Sequence, residues 1–210
     1  MTKGLFITLE GGEGVGKSTQ LALLERALQA RGLDILVTRE PGGSPVAEDL
    51  RNLLLFGQHS FSRRSEILTH FAARFDHVDQ VIEPALAAGK LVVCDRFTDS
   101  TLAYQAYGRA EGEVGTLSLI NNLQKQLGRQ PDMTFLLEVS RDTARRRLAA
   151  RGKPTDRYEK SDEDFHIRVA EGFRTIAEQN KNRVIVLSTE HMPAEKVNAV
   201  IVEHILSRLP

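Results

Sequence analysis

A chain of 210 residues with 28 lysines and arginines against 28 aspartates and glutamates can bury a sizeable core in one domain, and it lacks the basic excess of a nucleic-acid-coating protein. Its single cysteine, Cys94, excludes an intrachain disulfide framework or a cysteine zinc site. No apolar run approaches the ~20 residues of a membrane span and the first residues show no secretory leader, so a soluble cytoplasmic protein is expected.

The first element is the apolar run Leu5-Phe6-Ile7-Thr8-Leu9, ending at Glu10, which reads as a buried strand. Directly after it stands Gly11-Gly12-Glu13-Gly14-Val15-Gly16-Lys17-Ser18, which fits G-x-x-x-x-G-K-[ST], the phosphate-binding P-loop. Leu21, Leu24 and Leu28 then recur at helical spacing, and Gly32 sits where a helix would stop. A strand, a glycine loop and a helix in that order suit the chemistry. Glycines let the backbone turn several N–H groups toward one phosphate chain, and the helix N-terminus favours anions. Lys17 is expected on the outer phosphates and the Ser18 hydroxyl on Mg²⁺.

A second strand is expected over Ile35–Thr38, followed by the turn Arg39-Glu40-Pro41-Gly42-Gly43 and a helix carrying Arg51. Arg39 and Arg51 near a strand end could hold a second anionic ligand, or could be solvated surface arginines. On the next helix, Phe71 and Arg74 are three apart. They could stack on a base and bond its edge, or serve as packing plus a surface charge.

The third strand, Leu91–Asp95, buries Cys94 as a small hydrophobe and ends in Asp95-Arg96-Phe97. An apolar strand ending in aspartate behind a P-loop places Asp95 near Mg²⁺ or the attacking oxygen, and Arg96 between donor and acceptor phosphates. Ser100, Tyr104 and Gln105 follow on an expected helix, where Ser100 and Tyr104 share a face.

Further strands are expected over Thr134–Val139 and Arg183–Leu187. Five short apolar strands alternating with helices give a three-layer α/β architecture, a doubly wound five-stranded parallel sheet with helices on both faces. Its ligands belong at the carboxyl ends of the strands. Between the last two strands, the stretch from Arg141 to Arg157 holds six arginines: Arg141, Arg145, Arg146, Arg147, Arg151 and Arg157. They read as a solvated helix face, or as a mobile lid over 141–158 that carries positive charge onto a transferring phosphoryl group.

Taken together, Leu9-Glu10-Gly11 with the P-loop, Thr38-Arg39-Glu40-Pro41-Gly42-Gly43, Asp95-Arg96-Phe97, Ala103-Tyr104-Gln105, and Arg151-Gly152 with Asp156-Arg157 resemble bacterial thymidylate kinases, over nearly the whole chain and in order. The resemblance implies a single P-loop kinase domain over 1–210 that moves the γ-phosphate of ATP to thymidine monophosphate with Mg²⁺, as a cytoplasmic homodimer. It implies that Gly11, Gly12, Glu13, Gly14, Val15, Gly16, Lys17, Ser18 and Thr19 hold ATP. Ser18 and Asp95 would hold the metal. Arg39, Arg51 and Arg96 would take the acceptor phosphate, Phe71 would stack on thymine, and Arg74 would reach a base carbonyl. Ser100 and Gln105 would line the base pocket, and Tyr104 would crowd the sugar 2′ position. Many relatives carry their stacking aromatic four residues before the arginine; that position is His70 here, with Phe71 next. Glu13-Gly14 stands where another subgroup has a catalytic arginine, so the lid must supply one, with Arg151 the leading candidate beside Arg147 and Arg157. A kinase for another nucleotide or a deoxynucleoside stays open. A GTPase switch would need an N-K-x-D segment, which is absent.

Overall fold

The computed structural model describes residues 4–152 and 156–209. Its strands are β1 (Leu5–Glu10), β2 (Ile35–Arg39), β3 (Leu91–Asp95), β4 (Met133–Glu138) and β5 (Val184–Ser188). They form one parallel sheet in the order β2-β3-β1-β4-β5. β1 is the pivot: Ile7 stands opposite Val93 of β3 on one side and Met133 of β4 on the other. The winding reverses there, and that opens a crevice at the strand ends.

Three strands run one residue off the expected bounds, β2 by taking in Arg39, which pairs with Asp95. Met133 joins β4 because it pairs with Ile7, and Val139 leaves the ladder as the chain turns toward Ser140. Arg183 gives its carbonyl to Thr134 N–H (2.8 Å), but its side chain turns away to Asp99, and β5 starts at Val184.

The helices are α1 (Lys17–Gln29), α2 (Pro45–Phe56), α3 (Arg63–His77), α4 (Glu83–Ala87), α5 (Thr98–Thr101), α6 (Val114–Leu127), α7 (Arg141–Ala150), α8 (Glu163–Gln179) and α9 (Ala194–Leu206). Wider π-helical turns join α3 to α4 over Val78–Ile82 and continue α5 over Leu102–Arg109. α1 stops where Gly32 adopts φ +76° and the N–H groups of Gly32 and Leu33 bond back to Gln29 and Leu28. α8 starts where the Asp162 carboxylate accepts Phe165 N–H at 2.7 Å.

Alternate residues of each strand serve opposite faces. Ile7, Leu9, Val93 and Phe135 pack with Leu24 and Leu28 of α1 and Ile201 and Ile205 of α9. On the other face, Phe6, Val92 and Phe97 meet Val78, Ile82 and Leu86, while Leu136 meets Phe165, Val169 and Phe173 of α8. Full burial of each such side chain contributes about 1.5–3 kcal/mol, and the two filled faces hold the strand ends rigid beneath the crevice. Among the described residues, no helix is long and apolar enough to cross a membrane.

Candidate active site

The loop between β1 and α1 bends through Gly11 (φ +129°), Gly14 (φ +75°) and Gly16 (φ +103°). Glycine is required twice over at Gly14, where a Cβ would meet the Ala144 carbonyl of α7 at 2.6 Å. Lys17 folds over the loop and donates to the Gly11 (3.0 Å) and Gly12 (2.7 Å) carbonyls. Burial, and then the neighbouring Arg96, lower its pKa to about 8. Ser18 and Thr19 are exposed on the first turn of α1, facing the same cavity.

The turn after β3 faces this loop. Arg96 takes φ +68°, an uncommon conformation for a side-chain-bearing residue and one that costs about 1–3 kcal/mol. Its N–H bonds Leu9 O at 3.0 Å. Its guanidinium serves four partners: Gly11 O (2.9 Å), Ser100 Oγ (3.1 Å), Glu13 Oε1 (3.1 Å) and Tyr104 Oη (3.1 Å). Burial works against its charge, but Tyr104, Glu13 and Asp95 outweigh burial and hold it firmly protonated. Burial also opposes charge on Glu13, yet Arg96 and Lys17 keep its carboxyl below the usual range. Ser100 and Tyr104, expected on one helix face, do converge, at the two ends of one guanidinium.

Sequence reasoning missed the support beneath this turn. Glu10 accepts Phe97 N–H (2.7 Å) on one oxygen and Ser100 Oγ–H (2.6 Å) on the other, bracketing Arg96 from below. The available signal was a lone carboxylate closing an otherwise apolar strand. Burial, then the nearby Asp99, raise Glu10 to about 7.

The P-loop and the β3 turn share a cavity of about 600 Å³, also lined by Arg39, Arg51, Arg74, Asp95, Gln105 and Arg151. Arg39 is exposed and pairs with Glu48 at 2.9 Å; Arg51 donates to Pro41 O at 2.7 Å. Burial, and then Arg39, lower the pKa of Arg51. Arg74 is buried rather than a surface charge. It donates to Glu40 (2.6 Å), Phe97 O (3.1 Å) and Thr101 Oγ1 (3.0 Å), and Nη1 has no partner among the described residues. Gly11, Gly12 and Val15 instead line a smaller cavity of about 250 Å³ behind the loop, where His166 lies 3.7 Å from Glu13.

One expectation is corrected. Phe71 does not reach the cavity: it is 1% exposed and packs with Ile67, Ala106 and Ile120. The helix turns Ile67 and Phe71 inward as one stripe, and Glu66, His70 and Arg74 form the adjacent stripe. His70 therefore lines the cavity, and its Nε2 lies 2.9 Å from the Tyr158 hydroxyl.

The six arginines separate. Arg141 pairs with Glu163 (2.8 Å), and Arg146 caps back to Thr143 (2.9 Å). Arg147 donates to Thr189 O at 2.9 Å, beside the P-loop. Arg151 lines the cavity and pairs with Glu159 at 2.6 Å. Arg157 donates to Gly57 O and His59 O, both at 2.9 Å, away from the cavity. The centre of the expected lid, 153–155, lies outside the described residues.

A divalent ion fits here. Asp95 Oδ1, on the wall of the larger cavity, is a buried oxygen without a hydrogen-bond partner among the described residues. No three His, Cys, Asp or Glu side chains gather as a metal centre among those residues.

With this geometry in hand, the comparisons are specific. The sequence model of the thymidylate kinase family matches residues 9–201. The thymidylate kinase of Gluconobacter oxydans is 54% identical, over 96% of this chain and 94% of its own. That of Rhizorhabdus wittichii is 48% identical over 99% of both. The crystal structure of thymidylate kinase from Ehrlichia chaffeensis superposes with a TM-score of 0.77 at 34% identity, covering 97% of this chain and 99% of that one.

Proposed function

The chain belongs to the thymidylate kinase family, and from that premise we propose that it phosphorylates dTMP to dTDP with ATP and Mg²⁺, a step toward dTTP for DNA replication. The observation that carries this assignment to the site is the shared cavity. A P-loop and an aspartate–arginine turn meet there, and Arg96 bonds directly to Gly11 and Glu13 of the loop.

Roles follow from charge and position. Backbone N–H groups of Gly11 to Ser18, with Thr19, take the ATP phosphates. Lys17 leaves its two loop carbonyls for the β and γ oxygens. Arg96, Arg51 and Arg39 take the dTMP phosphate. One of its oxygens attacks the γ phosphorus, the bond to the β–γ bridging oxygen breaks, and ADP leaves. The transition state is loose, so positioning and charge do most of the work. Ser18 and Asp95 would hold Mg²⁺, which neutralises charge on the β and γ oxygens. Arg151, in a lid formed by α7 and the residues that follow, adds the arginine that Glu13-Gly14 does not supply. Arg74, Ser100 and Gln105 line the base pocket, His70 takes the stacking position first assigned to Phe71, and Tyr104 crowds the sugar 2′ position.

The enzyme is proposed to act in the cytoplasm as a homodimer. Leu53, Phe56 and Leu68, exposed on the packed pair α2 and α3, support a buried partner face. The test of the activity is product identification. Purified enzyme with ATP, Mg²⁺ and dTMP is expected to yield dTDP and ADP in equal amounts; ADP without dTDP would contradict the proposal.

A further inference from the structure

Four side chains from three parts of the fold meet at the cavity, and three of them, His70, Gln105 and Tyr158, line its wall. Tyr158, between α7 and α8, donates its hydroxyl to Glu66 Oε1 of α3 at 2.7 Å. Gln105, on the π-helical stretch, donates to the same Glu66 oxygen and to the Tyr158 oxygen, both at 3.1 Å. His70 Nε2 lies 2.9 Å from that oxygen. The Arg109 guanidinium stands 5.4 Å over the Tyr158 ring and pairs with Glu66 at 3.4 Å.

Counting protons fixes the direction of each bond. Tyr158 has one proton, and Glu66 receives it. Burial and Glu66 hold the phenol well above its usual pKa, so that proton stays. The Tyr158 oxygen can then only accept from its other neighbours. Gln105 supplies one N–H and His70 must supply the other, from Nε2. An Nε2–H alone fits either a neutral ring or an imidazolium; burial, and then Arg74, depress the pKa of His70 to about 3, which selects the neutral ring with Nδ1 unprotonated.

We propose that Tyr158 is a positioning residue for the acceptor base: its hydroxyl fixes the tautomer and ring plane of His70 on the cavity wall and holds Gln105 beside it. The proposal rests on the reading of this cavity as the dTMP site. Its consequence is that base recognition depends on a residue outside α3 and the β3 turn.

The test uses the full-length enzyme. Tyr158→Phe keeps the ring and removes the hydroxyl. Loss of one buried hydrogen bond predicts a KM for dTMP raised roughly 5- to 20-fold, with kcat and the KM for ATP within about twofold. In a His70→Phe background the same substitution should cost at most about a third as much on the logarithmic scale, because one of its partners is gone. An unchanged KM for dTMP in Tyr158→Phe, or effects that add in full, would overturn the proposal. Imidazole nitrogen NMR of the parent enzyme needs neither substitution nor substrate, so it separates this proposal from the assignment of the activity. The Nε2–H tautomer is expected; an Nδ1–H tautomer or an imidazolium at neutral pH overturns it, even if the enzyme proves to phosphorylate dTMP.

Discussion

Arg96 Nη2 lies 3.1 Å from Glu13 Oε1, joining the turn after β3 to the middle of the P-loop. The loop thus supplies a carboxylate that pairs with this arginine. On the proposed roles, substrate phosphates would share or displace that contact.

Replacing Arg96 tests this relationship. Arg96→Ala should lower kcat/KM for dTMP by about 10³-fold or more, the scale of a lost phosphoryl-transfer arginine. Arg96→Lys should recover only part, because a point charge cannot serve four partners in a planar fork. Steady-state kinetics on purified variants check both; parent-like activity in Arg96→Ala would remove Arg96 from the mechanism.

Lys17 predicts a basic limb. Its pKa in the free enzyme is lowered to about 8, so above that pH the loop loses its cation. kcat/KM for ATP should fall as pH rises beyond about 8. The limb in kcat should lie higher, since bound phosphates favour the charged lysine. A kcat/KM that stays flat well above pH 8 would contradict the assignment.

Glu10 predicts a stability signature. Its folded pKa is about 7, above the ordinary 4.5. Between those values the folded chain keeps a proton that the unfolded chain releases. Stability is therefore full below pH 4.5 and falls as pH rises through about 7. Glu10→Gln should flatten that decline, gaining on the order of 1–3 kcal/mol relative to the parent across the window. Denaturant melts at several pH values measure it; parallel curves for the two proteins would refute it.

Arg151 and Arg157 should behave differently. Arg151 is 43% exposed beside the cavity, and Arg157 is committed to two loop carbonyls. Arg151→Ala should reduce kcat by about 10²-fold or more with little change in melting. Arg157→Ala should cost about 1 kcal/mol of stability with near-parent kcat. The reverse pattern would exchange their roles.

How much of this was legible in the sequence follows local physics. β1, β3 and the P-loop were readable because apolar runs and glycines act over a few residues. The parallel, doubly wound sheet followed from alternating strands and helices, whereas the strand order β2-β3-β1-β4-β5 is set by tertiary pairing. Strand ends slipped by one at Arg39, Met133 and Arg183, where tertiary pairing rather than composition decides. Phe71 was misplaced because adjacent helical residues differ only by rotation, and the packing of Ile67 sets that rotation. Tyr158 gave no signal, since His70 and Glu66 lie 88 and 92 residues away. The π-helical stretch carrying Tyr104 and Gln105 was likewise invisible, because it reads locally as an ordinary helix.

The central claim is that this cavity takes two phosphates and selects thymidine monophosphate. The direct measurement is ADP formation from ATP and Mg²⁺ with dTMP, dUMP, dCMP, dAMP, dGMP or thymidine as acceptor. The account predicts that dTMP gives the highest kcat/KM and that thymidine, lacking the phosphate Arg96 would hold, is near background. Preference for another acceptor, or ATP hydrolysis that no acceptor stimulates, would contradict it.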